Sequence, residues 1–235
     1  HPPSTPRRLP WGGGPVLLRY TERSPARRRQ EKTRESHAGN VHAWLSPEEP
    51  GPFRVLNPLA EHPILLVCDH ASCRFPESLG DMGLDPFARR CHLALDIGAG
   101  PLTERLAKSL GVTAVMHNYS RLVVDCNRQL MDPSAFLEYG DGILVPGNRN
   151  LHQADKDLRA SALYWPYHCA IDEQVQRLRK AGPLPAFISI HSFTPVLKGE
   201  SREWQMGVLW DRDEKKIGRA SCRERGAGAV GGGGR

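Results

Sequence analysis

The sequence predicts an α/β fold: a mostly parallel or mixed central sheet with helices on both faces and disordered ends. Three observations predict it. Short apolar runs of strand length alternate with longer amphipathic runs. The apolar runs are continuous rather than alternating, as in strands covered on both faces. Both chain ends are Pro- or Gly-rich and basic, without either period. At 235 residues, with 39% hydrophobic and 25% charged residues and a mean hydropathy of −0.48, the chain has the balance of a soluble globular protein. It has no apolar stretch of about 18 residues, which excludes a spanning helix.

The elements follow in order. Residues 1–42 carry Pro2-Pro3, Gly12-Gly13-Gly14 and Arg27-Arg28-Arg29, and are expected to be a disordered leader or non-native upstream sequence. Ile64-Leu65-Leu66-Val67-Cys68 reads as a buried strand that ends on Asp69-His70. Leu102, Leu106 and Leu110 recur at helical spacing, with Pro101 near the start and Gly111 just beyond the end. Strands are expected at 112–116 and 122–124. Residues 155–180 read as mostly helical, restarted at Pro166, because proline breaks the ladder inside a helix. Strands at 186–190 and 206–210 complete the domain, set at 43–216 and truncated at its C-terminus. Residues 217–235 read like translated adapter sequence followed by a glycine run, an artefactual tail.

The net charge of +6 does not argue for nucleic acid. Residues 1–40 carry +6 and residues 217–235 carry +3, which leaves −3 on 41–216. No nucleic-acid or membrane partner is expected, and the sequence leaves the oligomeric state open. Six cysteines fall in no CxxC pattern, which fits a reduced cytoplasmic protein.

Sites in open α/β sheets collect at the carboxyl ends of the strands. Three expected strands end on chemistry-bearing residues: Asp69-His70, His191-Ser192 and Asp125-Cys126-Asn127-Arg128. His70 and His191 are 121 residues apart, so only a shared sheet edge can join them. Two imidazoles and a carboxylate make a three-ligand zinc site with an open position. Asp96 is the preferred third ligand; Asp69 is either the ligand instead or a group that orients an imidazole. The plainer reading is that each histidine is a hydrogen-bonded core residue. Arg121 and Arg128 bracket 122–124 and offer carboxylate-binding forks, or a structural salt bridge with Asp125. Gly98-Ala99-Gly100 before a helix reads as an anion site or a tight turn. His168 lies on an expected helix and either faces the pocket or packs. There is no GxGxxG, Walker or GxSxG motif.

Five blocks, in order, carry a family resemblance over about 55–211: 63–70 with Ala71-Ser72-Cys73-Arg74-Phe75-Pro76; His92-Leu93-Ala94-Leu95-Asp96-Ile97-Gly98-Ala99; Ser120-Arg121-Leu122-Val123-Val124-Asp125-Cys126-Asn127-Arg128; Pro166-Tyr167-His168; and Ile190-His191-Ser192-Phe193-Thr194-Pro195. The chain resembles the N-formylglutamate amidohydrolase family. The resemblance implies a zinc-carboxypeptidase- or aspartoacylase-like α/β fold and a Zn²⁺-dependent amidase of histidine degradation. Such an enzyme cleaves N-formyl-L-glutamate, or a similar N-acyl acidic amino acid, to formate and L-glutamate. It implies that Asn127 and Arg128 grip a substrate carboxylate; the residues themselves are read so that His70, Asp96 and His191 hold the metal, Arg121 stabilises the oxyanion, and Ser192 lines the pocket or supports His191. The relatives ligate zinc through HxxE, whereas the third position after His70 is Cys73, so the carboxylate is expected from Asp96. The family's acidic block beyond 206–210, its general base, has no counterpart in this chain. The rival readings are another zinc amidase or deacylase on this scaffold, or an inactive fragment.

Overall fold

The computed structural model describes residues 16–20, 44–197, 199–202 and 205–210. The first strands are β1 (Val16–Tyr20), β2 (Phe53–Leu56) and β3 (Ile64–Cys68). They are followed by α1 (Ala99–Leu110), β4 (Thr113–His117) and a small hairpin, β5 (Tyr139–Gly140) with β6 (Ile143–Leu144). Then come α2 (Gln153–Arg159), a π-helical turn (Ala160–Tyr164) and α3 (Trp165–Ala181). The chain continues through β7 (Ala186–Ser192), the pair β8 (Val196–Leu197) and β9 (Glu200–Ser201), and β10 (Met206–Trp210).

One mixed six-stranded sheet runs β10-β1-β7-β3-β4-β2. Its centre, β7-β3-β4, is parallel, while β2 is antiparallel to β4 and β1 antiparallel to β7. Successive side chains on a strand point to opposite faces, and β3 uses both. Leu65 and Val67 pack with Tyr167, Ala170, Ile171 and Leu178 of α3; Leu66 and Cys68 pack with Ala99 and Ala107 of α1. The continuous apolar run of β3 is the consequence of two covered faces.

The helix ends obey local chemistry. Gly111, at φ 61°, closes α1 with its N–H bonded to Ala107, as a left-handed stop requires. Pro166 has no N–H to give and its ring crowds the carbonyl four residues back. The ladder just before it widens into the π turn 160–164, so the expected restart is observed.

Two expectations fail. Residues 122–124 are not a strand but a buried turn. Side chains, rather than a neighbouring strand, satisfy its carbonyls: Asn148 Nδ2 donates to Leu122 and Arg159 to Val123. Within 1–42, Val16–Tyr20 is a sheet strand rather than structureless leader. It pairs with β7 on one side and β10 on the other, so β7 is not an edge. The rest of 1–42, and the tail 217–235 expected to be artefactual, lie outside the described residues. Among the described residues, no helix is long and apolar enough to cross a membrane, and the five cysteines are free thiols.

Candidate active site

Parallel pairing of β3 with β7 puts Val67 opposite Ser189. Continued by two residues, the register sets Asp69 beside His191. His70 follows the end of β3, and His191 is the penultimate residue of β7, which runs two residues beyond the expected 186–190. Asp96 arrives on the turn before α1, its N–H bonded to the His70 carbonyl at 3.0 Å. Gly98 (φ 84°) and Gly100 make this approach possible. A Cβ on Gly100 would stand 2.9 Å from the Ala71 carbonyl oxygen, so the 98–100 segment is the tight turn.

The His70 and His191 rings lie 5.1 Å apart, and with Asp96 they form a buried group able to hold a metal ion. His191 Nδ1 is 2.8 Å and His70 Nδ1 3.3 Å from the same oxygen, Asp96 Oδ2. Each ring is backed by a second carboxylate. His70 Nε2 lies 2.7 Å from Asp125 Oδ1. His191 Nε2 lies 3.0 Å from Ser189 Oγ and 3.3 Å from Asp69 Oδ2. Asp69 in turn accepts from Tyr167 Oη at 2.9 Å and Ser189 Oγ at 3.1 Å. Asp125 accepts from Arg121 Nη2 at 2.7 Å and Nε at 3.1 Å.

These contacts test whether a cation fits. If each Nε2–H donates to the carboxylate behind it, both Nδ1 lone pairs face the Asp96 carboxylate. That convergence is repulsive unless positive charge sits among the three groups. His70 Nδ1 is buried and has no hydrogen-bond partner. With neutral imidazoles, three buried carboxylates against the Arg121 guanidinium leave a net −2. A divalent cation balances that charge, and so would two imidazolium protons. The donor set therefore fits a metal ion.

The ionisations follow from the same contacts. Burial opposes charge on Asp69, Asp96 and Asp125. The histidines beside them, with Tyr167 on Asp69 and Arg121 on Asp125, outweigh it and hold all three below the usual carboxylate range. Burial also opposes protonation of His191, yet Asp69 and Asp96 lift it to about 9. His70 is raised too: burial opposes this, and Asp125 prevails over Arg121.

The other expected site residues meet this centre in different ways. Arg121 grips Asp125 and reaches Asp96 Oδ1 at 3.5 Å, so it forms the salt bridge and also stands at the site. Ser192 donates its backbone N–H to Asp96 Oδ2 at 3.3 Å. Asn127 and Arg128 meet Asp125 through backbone N–H groups, to its Oδ1 at 2.8 Å and its carbonyl at 3.1 Å. His168 is buried and bonds the Cys126 carbonyl. Cys73 is not in the cluster. Sequence reasoning missed Asp125 as the partner of His70, and Tyr167 and Ser189 as partners of Asp69. Asp69 orients the imidazole of His191, not that of its neighbour His70.

A mixed α/β sheet that brings His70 and His191, from the carboxyl ends of two parallel strands, together with Asp96 defines an α/β protein with a metal-competent centre. The model of N-formylglutamate amidohydrolase matches residues 62–230, and the chain belongs to that family of amide hydrolases. The match takes in 217–230, which lie outside the described residues. The crystal structure of gene product Atu2144 from Agrobacterium tumefaciens is similar at 34% identity, covering 78% of this chain and 74% of its own, with a TM-score of 0.74. The crystal structure of N-formylglutamate amidohydrolase from Ralstonia eutropha JMP134 is similar at 23% identity over 56% of this chain and 53% of its own, with a TM-score of 0.46. No curated protein matches.

Proposed function

We propose that the chain is a zinc-dependent amidohydrolase that cleaves N-formyl-L-glutamate, or a close N-acyl acidic amino acid, to formate and L-glutamate. The observation that carries the reading is the convergence of His70 Nδ1, His191 Nδ1 and Asp96 Oδ2, with a carboxylate behind each ring. His70, Asp96 and His191 would hold the metal. Bound Zn²⁺ supplies a water of lowered pKa, near about 7, and Lewis acidity toward the formyl carbonyl.

The chain's own residues do the rest. Asp125 and Asp69 fix the two imidazoles so that Nδ1 carries the lone pair. Arg121, held by Asp125 beside Asp96, is placed to donate to an oxyanion that develops near the centre. Asn127 and Arg128 bind a substrate carboxylate, and Ser192 lines the same pocket. Family membership supports this small-molecule assignment; histidine degradation in the cytoplasm is the setting that belongs to the same proposal.

The experiment measures metal content and turnover of the 235-residue chain. Stoichiometric zinc, lost in His70→Ala and in His191→Ala, is expected together with release of formate from N-formyl-L-glutamate. A panel of other N-acyl amino acids fixes the acyl preference. Zinc retained in both variants overturns the ligand set. Hydrolysis of other N-acyl substrates, but not the formyl compound, overturns the substrate.

A further inference from the structure

Asn127 and Arg128 lie two and three residues after Asp125, so the segment assigned to substrate is joined in sequence, through Cys126, to the carboxylate behind His70. It belongs to no helix or strand, yet its backbone is held through both its N–H groups and its carbonyls. Asp125 accepts the N–H groups of Asn127 (2.8 Å) and Arg128 (3.1 Å). His168 Nε2–H donates to the Cys126 carbonyl at 3.0 Å. Tyr164 O–H donates to the Arg128 carbonyl at 2.9 Å. The two side-chain donors thus straddle Asn127.

Both donors come from the junction of the π turn with α3: Tyr164 ends the turn, and His168 lies in the first turn of α3. Their rings pack 4.3 Å apart, so each fixes the other's orientation. The wider π turn shifts the helix register relative to α2 and sets which side chains face the segment. Water could satisfy two such carbonyls. Buried, packed side chains do so with a fixed direction, as a binding segment that must hold its geometry requires.

We propose that Tyr164 and His168 are positioning residues: they clamp the carbonyls on either side of Asn127, and so set the direction from which Asn127 and Arg128 meet a substrate carboxylate. The inference rests on the reading of Asn127 and Arg128 as substrate-binding residues. Neither clamp residue touches substrate.

The test is a double-mutant cycle on binding of L-glutamate to the zinc-loaded chain, followed by calorimetry. Arg128→Ala should weaken binding strongly. Tyr164→Phe, which removes one hydroxyl, and His168→Leu should each weaken it about five- to tenfold. His168→Gln, which keeps an N–H donor, should recover most of the loss. In the Arg128→Ala background, Tyr164→Phe should change affinity by clearly less than in the parent, because one of the two groups it positions is gone. Zinc stoichiometry should be unchanged in every variant. A merely structural role would instead weaken zinc and glutamate binding together and act independently of Arg128. If Arg128→Ala weakens binding but the clamp variants do not, or if their effects multiply independently, positioning is overturned and the substrate reading stands. If Arg128→Ala leaves glutamate binding unchanged, the substrate reading falls and takes this inference with it.

Discussion

Replacing Asp69 by Asn probes the carboxylate behind His191 with almost no change in shape. Asp69 accepts from Tyr167 Oη at 2.9 Å and Ser189 Oγ at 3.1 Å, and faces His191 Nε2 at 3.3 Å. An amide presents an NH₂ on one of its two ends, so a donor must meet either Tyr167 or the Ser189–His191 side. The buried net charge before a cation enters falls from −2 to −1. Loss of such a partner behind a ligating imidazole weakens metal binding about 10–100-fold, or about 1.4–2.7 kcal/mol. The assay is competition for zinc against a chromophoric chelator near neutral pH, with urea unfolding alongside. Asp69→Asn is expected to bind zinc weakly and still unfold cooperatively. Glu104→Gln, which removes the charge of a half-exposed partner of Arg54 on the surface, should leave zinc affinity at the parent value. Zinc affinity in Asp69→Asn equal to the parent's would refute the argument that Asp69 holds His191 for a cation.

Three further outcomes are expected. Arg159 is buried and donates to the carbonyls of Val123 and Gly147 and to Asn148 Oδ1, so Arg159→Met leaves two buried acceptors and a part-buried one unmet. It should cost about 3–5 kcal/mol in urea unfolding, and a loss under about 1 kcal/mol would contradict the role of Arg159 as the hub of this turn. Gly100→Ala would press its Cβ on the Ala71 carbonyl at 2.9 Å, next to His70. A loss of about 1–3 kcal/mol is expected, and a gain of the size that helix propensity alone gives would show that the contact relaxes freely. His117 is fully buried, with its Nδ1–H bonded to the Tyr119 carbonyl, and burial lowers it from 6.5 to about 4. The unfolded chain therefore binds more protons between those values, and stability rises with pH through that window. His117 contributes up to about 3 kcal/mol above pH 6.5 that is lost as pH falls toward 4. In His117→Asn, the difference in urea midpoint between neutral pH and pH near 4.5 should shrink, and an unchanged difference would remove His117 from the acid response.

The amino-acid sequence alone determined the elements whose signals are local. The β3 run, the α1 repeat with its Gly111 stop and the restart at Pro166 need only neighbours in the chain. It also marked His70, Asp96 and His191, because polar residues that end apolar runs are conspicuous there. What it left open were matters of partnership. The 122–124 run is as apolar as a strand, but its carbonyls go to Asn148 and Arg159, residues 25 or more positions away in the chain. Val16–Tyr20 carries a strand in a Pro- and Gly-rich stretch because the open side of β7 supplies the pairing. Asp69 and His70 are neighbours in sequence but serve different imidazole sites, since adjacent residues leave a strand on opposite faces. Which histidine Asp69 meets is fixed by the parallel register of β3 with β7, a contact spanning 120 residues. No local pattern encodes that register. It is decided when both faces of the sheet are buried at once, because a one-residue slip would turn every side chain of the strand to the other face.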